Sequence, residues 1–191
     1  MRVLVIPEDF RKDQYLLKPL FSRLFQTIGK GRVQVEICRA PLLGGVDEAL
    51  KANRIAEVMS RHGGMAHIVV LCVDRDGKLG RHLRLRQMER QFGTRRLPFF
   101  AENAWEELET WVLAGLTLPH GWRWADVRAE VQVKERYFDP VVRLRGVSDT
   151  PGQGRQLLGL EAARRIGAIR QKCPEDFDSL ARRLEAAVGA T

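Results

Sequence analysis

The sequence predicts an α/β protein, with an open, mostly parallel sheet of about four strands flanked by helices and a helical appendage at its C-terminal end. Two observations carry this expectation. From Val3 to Gly115, apolar runs of strand length alternate with stretches of helical periodicity, the pattern of consecutive βαβ units. One of those runs, Ala66 to Val73, is almost continuously apolar and β-branched, as a strand covered on both faces must be.

The elements follow in order. Val3 to Pro7 reads as the first strand and is succeeded by Glu8 and Asp9. Tyr15, Leu16, Leu17, Leu20, Leu24 and Phe25 then recur at helical spacing until Gly29 and Gly31 stop the helix. Val33 to Cys38 alternates as a second strand, and Pro41, Gly44 and Gly45 make the next turn. Asp47 to Arg61 is helical through Leu50, Ile55, Val58 and Met59 and ends at Gly63 and Gly64. The central strand, Ala66 to Val73, delivers Asp74-Arg75-Asp76-Gly77-Lys78 at its carboxyl end.

Leu83 to Phe92 is expected to be a basic helix and Leu97 to Phe100 a fourth short strand. Glu102 to Gly115 is expected to be a helix with Trp105, Leu108 and Val112 as its buried stripe. Pro119 to Gly154, rich in Pro and Gly, reads as irregular, and Leu157 to Lys172 and Pro174 to Val188 read as two closing helices. In the second, Glu175 and Asp176 face the positive end. The division expected is an α/β domain over residues 1–117, followed by a linker and C-terminal helical region, 118–191, packing on it.

Composition narrows the function classes. No run approaches the roughly 20 apolar residues of a membrane span, and the opening Met-Arg-Val-Leu-Val-Ile-Pro-Glu-Asp is too short and acidic for a signal peptide, so a cytoplasmic protein is expected. Cys38, Cys72 and Cys173 are odd in number and far apart, which suggests neither a disulfide framework nor a zinc ribbon and points to reduced, mostly buried thiols. Thirty-two Lys and Arg against 24 Asp and Glu give a net charge of +8, which favours polyanions such as nucleic acid; solubility alone explains it equally well.

In open α/β sheets, ligands collect beyond the carboxyl ends of the strands, and two strands here end in carboxylates: Glu8 after the first, Asp74 and Asp76 after the third. Two aspartates one residue apart in a turn can converge on one hard cation, Mg2+ or Mn2+, which would relieve their mutual repulsion. Glu109 lies nearest the apolar stripe of the helix expected from Glu102, and Glu107 lies on its other flank. Arg81, Arg84, Arg86, Arg90, Arg95 and Arg96 follow the aspartates directly and suit a phosphate-binding rim. Plainer readings stand beside these: D-x-D-G is also a favoured turn, and the glutamates and arginines also suit solvated helix faces.

The apolar strand with Glu8, then Val-Val-Leu-Cys-Val-Asp74-Arg-Asp76, resembles the TOPRIM domain of topoisomerases, primases and OLD-family nucleases. Glu107-Leu108-Glu109-Thr-Trp111 is similar to the Glu-x-Glu helix of the OLD-type nucleases and of small TOPRIM-like proteins encoded beside ATPases in prokaryotic defence loci. Val133-Lys134-Glu135 and Gly154-Arg155 resemble the tails of those small proteins more loosely. The resemblance implies that Glu8, Asp74 and Asp76 bind one or two divalent cations, with Glu107 or Glu109 as a further ligand. It also implies phosphodiester cleavage of nucleic acid, DNA favoured over RNA as partner, with Lys78 or Arg75 neutralising the scissile phosphate and an ATPase as a further partner. Asp9 stands where the family usually has glycine, and Lys78 where a third acid often follows.

Other classes share parts of this pattern. An acid pair after strand one and an aspartate after strand three also describe a phosphoacceptor receiver domain, although no fifth strand ending in lysine is visible. Haloacid-dehalogenase phosphatases share the Asp-x-Asp but need a threonine or similar residue where Lys78 lies. A TOPRIM-like fold kept only for binding nucleic acid or a partner is the remaining alternative.

Overall fold

A computed structural model describes residues 1–29 and 32–189. Four parallel strands, β1 (Arg2–Pro7), β2 (Gln34–Ile37), β3 (Ile68–Asp74) and β4 (Phe99–Ala104), form one open sheet in the order β2-β1-β3-β4. The helices are α1 (Phe10–Ile28), α2 (Val46–Ala49), α3 (Ala52–His62), α4 (Arg81–Phe92), α5 (Glu109–Gly115), α6 (Trp124–Ala129), α7 (Asp139–Leu144), α8 (Arg155–Ala163), α9 (Ile166–Lys172) and α10 (Phe177–Gly189). The α/β architecture expected from the alternation is therefore the one found. None of these helices is long and apolar enough to cross a membrane.

Strand alternation divides the core in two. Val3, Val5, Ile68, Val70 and Cys72 face a large cluster built by α1, α5 and the C-terminal helices, with Trp111, Phe138 and Phe177 among its members. Leu4, Ile6, Val69, Leu71 and Val73 face a smaller cluster under α2, α3 and α4. Both sides of β3 are thus covered, which explains its unbroken apolar run. Cys38, Cys72 and Cys173 are all buried free thiols.

Three expectations need correcting. The fourth strand runs on to Ala104, and the helix that follows begins only at Glu109. β4 pairs with β3 from Val69 opposite Phe99 to Asp74 opposite Ala104. Its buried Glu102 is tolerated because Arg86 and Arg183 donate to Oε2 at 2.8 and 2.7 Å. Helical phase drawn from Glu102 consequently misplaces the side chains before Leu108. Secondly, Pro119 to Gly154 is not irregular: α6, α7 and a π-helical turn, Lys134–Phe138, place Val127, Phe138 and Val142 in the larger core. Each is too short to show a periodic stripe. Thirdly, two expected helices are broken: Asp47 to Arg61 parts at Leu50 and Lys51 into α2 and α3, and Leu157 to Lys172 parts at Arg164 and Arg165 into α8 and α9. Helix α1 ends at Gly29 as expected; Gly31 lies outside the described residues.

The chain leaves β1 through α1 on one face to reach β2, and returns through α3 on the other face to reach β3. Connections from neighbouring strands diverging to opposite faces open a crevice between their carboxyl ends. That crevice lies between β1 and β3, where Glu8 and Asp74 stand.

Candidate functional site

β1 pairs with β3 up to Pro7 opposite Cys72, so Glu8 emerges beside the last residues of β3. Its carboxylate accepts the Asp74 backbone N–H at 3.3 Å. The Glu8 carbonyl accepts the N–H groups of Gly44 and Gly45 at 3.1 and 3.2 Å, which fixes the loop after β2 over it. Asp74 has the parity of Val70 and Cys72 and so projects towards α1 and α5, where its Oδ1 accepts the Leu108 N–H at 2.8 Å.

Two further carboxylates meet this pair. Asp13, in the opening turns of α1, accepts the Asp9 N–H at 3.0 Å, and Glu109 opens α5. Burial pushes Asp74 well above the usual carboxylate range, reinforced by the negative charges of Glu8, Glu109 and Asp13. Burial likewise raises Asp13 to about 8, with Glu109 and Glu8 adding to it. Glu8 rises to about 7, again chiefly through burial, although the Asp74 N–H bond opposes the shift.

Asp13 was not among the residues singled out from the sequence. A signal for it existed: it falls on the stripe of Leu17, Leu20 and Leu24, four, seven and eleven residues ahead, so α1 carries a carboxylate on its buried face. Arg155, another unforeseen member, is fully buried and donates to Glu109 Oε1 at 2.7 Å. With side-chain exposures of 2% and 8%, this pair is sealed from solvent, and Arg155 takes one of the two Glu109 oxygens.

The remaining expected residues divide. Asp76 and Gly77 both have positive φ, 48° and 67°, and Lys78 N–H bonds to the Arg75 carbonyl at 3.0 Å. D-x-D-G is therefore a true turn of the mirror-image type, which glycine and aspartate tolerate. In it Asp76 accepts Arg81 Nη1 at 2.8 Å, while Lys78 is exposed. The turn is clamped by Glu106: its carbonyl accepts the N–H of Arg75 at 2.7 Å, and its carboxylate accepts the N–H of Gly77 at 2.5 Å and pairs with Arg75. Glu107 lies apart, accepting the Lys134 N–H at 2.5 Å and raised by burial to about 7.

The expected arginine rim is mostly engaged inside the fold. Arg75 pairs with Glu106 and lies over the Trp105 ring at 3.6 Å; Arg81 is buried between Asp76 and the Asp74 carbonyl. Arg84 donates to the Leu50 carbonyl, and Arg86 pairs with Glu89 and Glu102. Arg90, Arg95 and Arg96 are exposed.

As a donor set, Glu8, Asp13, Asp74, Asp76 and Glu109 are hard oxygens, and among the described residues Arg81 pairs with Asp76 and Arg155 with Glu109. That chemistry fits a hard divalent cation. As the side chains stand, however, no three His, Cys, Asp or Glu among the described residues are arranged to hold an ion. No protein-family model, curated protein or solved structure matches this chain.

Proposed function

We propose that this chain is a TOPRIM-like hydrolase that cleaves nucleic-acid phosphodiesters with a divalent cation, Mg2+ or Mn2+. The observation that carries the reading is the meeting of Glu8 and Asp74 at the crevice between β1 and β3, in a carboxylate group with too little positive charge around it. Glu8, Asp74 and Asp76 would hold the cation. When bound, it would polarise a phosphodiester oxygen and lower the pKa of an attacking water.

The chain's own residues do the positioning. Leu108 N–H fixes the Asp74 carboxylate, and Arg81 anchors the turn by binding the Asp74 carbonyl and Asp76 together. Lys78, exposed on that turn, would meet a phosphate. The receiver reading is not favoured, because the sheet of the described residues has four strands and Lys78 follows the third. A second reading, a TOPRIM-like binding subunit without catalysis, draws on Arg81 and Arg155, which occupy Asp76 and Glu109.

Nicking of supercoiled plasmid DNA separates the two. The hydrolase nicks only with Mg2+ or Mn2+, and Asp74→Asn, whose carbonyl oxygen still accepts the Leu108 N–H, lowers the rate roughly a hundredfold or more. A wild type that binds Mg2+ calorimetrically but never nicks supports the binding subunit; an Asp74→Asn variant as active as wild type sinks the hydrolase.

A further inference from the structure

Helices α1 and α8 enclose a groove of about 740 Å³. Twelve residues line it, and none is Asp or Glu. Four are cations: Lys18 and Arg23 on α1, Arg39 after β2, and Arg164 at the end of α8. The hydrogen bonds of Arg23 and Arg39 go to neutral amides, Gln26 at 3.2 Å and Gln14 at 3.2 Å, so neither charge is neutralised by its partner. Positive charge collected without carboxylates over a partly apolar floor of Pro19, Leu160 and Ala163 calls for an anionic ligand with apolar parts.

Shape selects among such ligands. The groove follows α1 from Gln14 to Gln26, about 18 Å at 1.5 Å per residue, too long for one mononucleotide. Spread over that length, 740 Å³ of space open to the centres of water molecules gives a channel on the order of 10 Å wide, room for one strand and not for a duplex. Tyr15 contributes a ring held rigidly, because Gly152 packs so close that a Cβ there would stand 2.4 Å from the ring, and a fixed aromatic face suits base stacking. Gln14, at the end of the groove nearest the start of α1, is next in sequence to Asp13 of the acidic group.

We infer that the groove between α1 and α8 is the track of a single nucleic-acid strand, its phosphates met by Lys18, Arg23, Arg39 and Arg164; for the direction of the strand towards Glu8 and Asp74 this rests on the hydrolase reading. The track thus lies along α1 and not along the arginines that follow β3.

Fluorescence anisotropy with a short labelled single-stranded oligonucleotide, in EDTA so that neither metal nor cleavage enters, tests it. Four neutralised phosphates on a single strand predict that wild-type affinity falls roughly fifty-fold between about 50 and 200 mM salt. In the Lys18→Ala, Arg23→Ala, Arg164→Ala triple variant, whose altered side chains are all exposed, that fall shrinks to roughly threefold. Arg61→Ala, an exposed change on α3 across the sheet, leaves the wild-type dependence intact. A triple variant with wild-type affinity and salt dependence overturns the track and leaves the hydrolase standing. Salt-dependent strand binding lost in the triple variant, in a wild type that never nicks DNA, supports the track while removing the hydrolase. Tighter uptake of a polyglutamate peptide than of the oligonucleotide gives the groove to an acidic protein segment and overturns the strand.

Discussion

Asp176 and Asp74 both sit beyond the carboxyl ends of neighbouring parallel strands, yet their surroundings treat them in opposite ways. Asp176 is met by the Trp105 N–H at 2.9 Å, the Trp111 indole N–H at 2.8 Å and the Arg128 guanidinium at 3.0 Å. Its charge is fully partnered, and it ties the end of β4 to the start of α10. Asp74 receives one backbone N–H and is surrounded by Glu8, Glu109 and Asp13. A partnered buried carboxylate holds a fold together, whereas a crowded one works against the folded state until a proton or cation arrives.

The largest effect is expected where the partners are most complete. Asp176→Ala leaves Arg128 with the exposed Glu175 as its acidic partner and takes the acceptor from the Trp105 N–H and the buried Trp111 indole N–H, and should cost about 2–4 kcal/mol in urea unfolding. A loss below about 1 kcal/mol would erase the contrast between the two regions.

An intermediate effect of opposite sign is expected at Asp13. Its folded pKa of about 8 and that of Glu8, about 7, lie above the ordinary values of 3.8 and 4.5, so between those limits the folded chain binds more protons than the unfolded one. Stability without metal therefore falls as pH rises from about 4 to 8. Asp13→Asn should flatten part of that fall and raise metal-free stability at pH 8 by on the order of 1–2 kcal/mol, with little change near pH 4. Because a cation displaces the same protons, Mg2+ should protect the wild type most at the alkaline end, read as a shift in thermal midpoint.

The smallest effect belongs to a pair in water. Arg61 meets Glu57 at 2.7 Å on the exposed side of α3, and Arg61→Ala should change stability by under about 0.5 kcal/mol. A larger loss would mean that counting charge partners, without regard to burial, explains Asp176 equally well.

How much of this was legible before the fold depended on whether neighbours along the chain or across it decide a residue's role. Periodicity from Val3 to Phe92 reveals three strands and the helices between them, because each buries a face set by its own sequence. It fails at Glu102, where an acidic residue belongs to a buried strand only because Arg86 and Arg183, 16 and 81 residues away, meet it. Pairing of Asp176 with Trp111 and of Arg155 with Glu109 is hidden for the same reason.

What the sequence determined by itself is the parallel α/β layering and the delivery of Glu8 and Asp74 to strand ends, since strand alternation and helix phase are local properties of the chain. Only the tertiary structure decided which charges stay uncompensated: Arg81, Arg86 and Arg75 are drawn into internal pairs, Asp13 is brought beneath Asp74, and Lys18, Arg23, Arg39 and Arg164 are left around one groove. Electrostatic partners are chosen by distance in space, and the order of residues along the chain does not contain that distance.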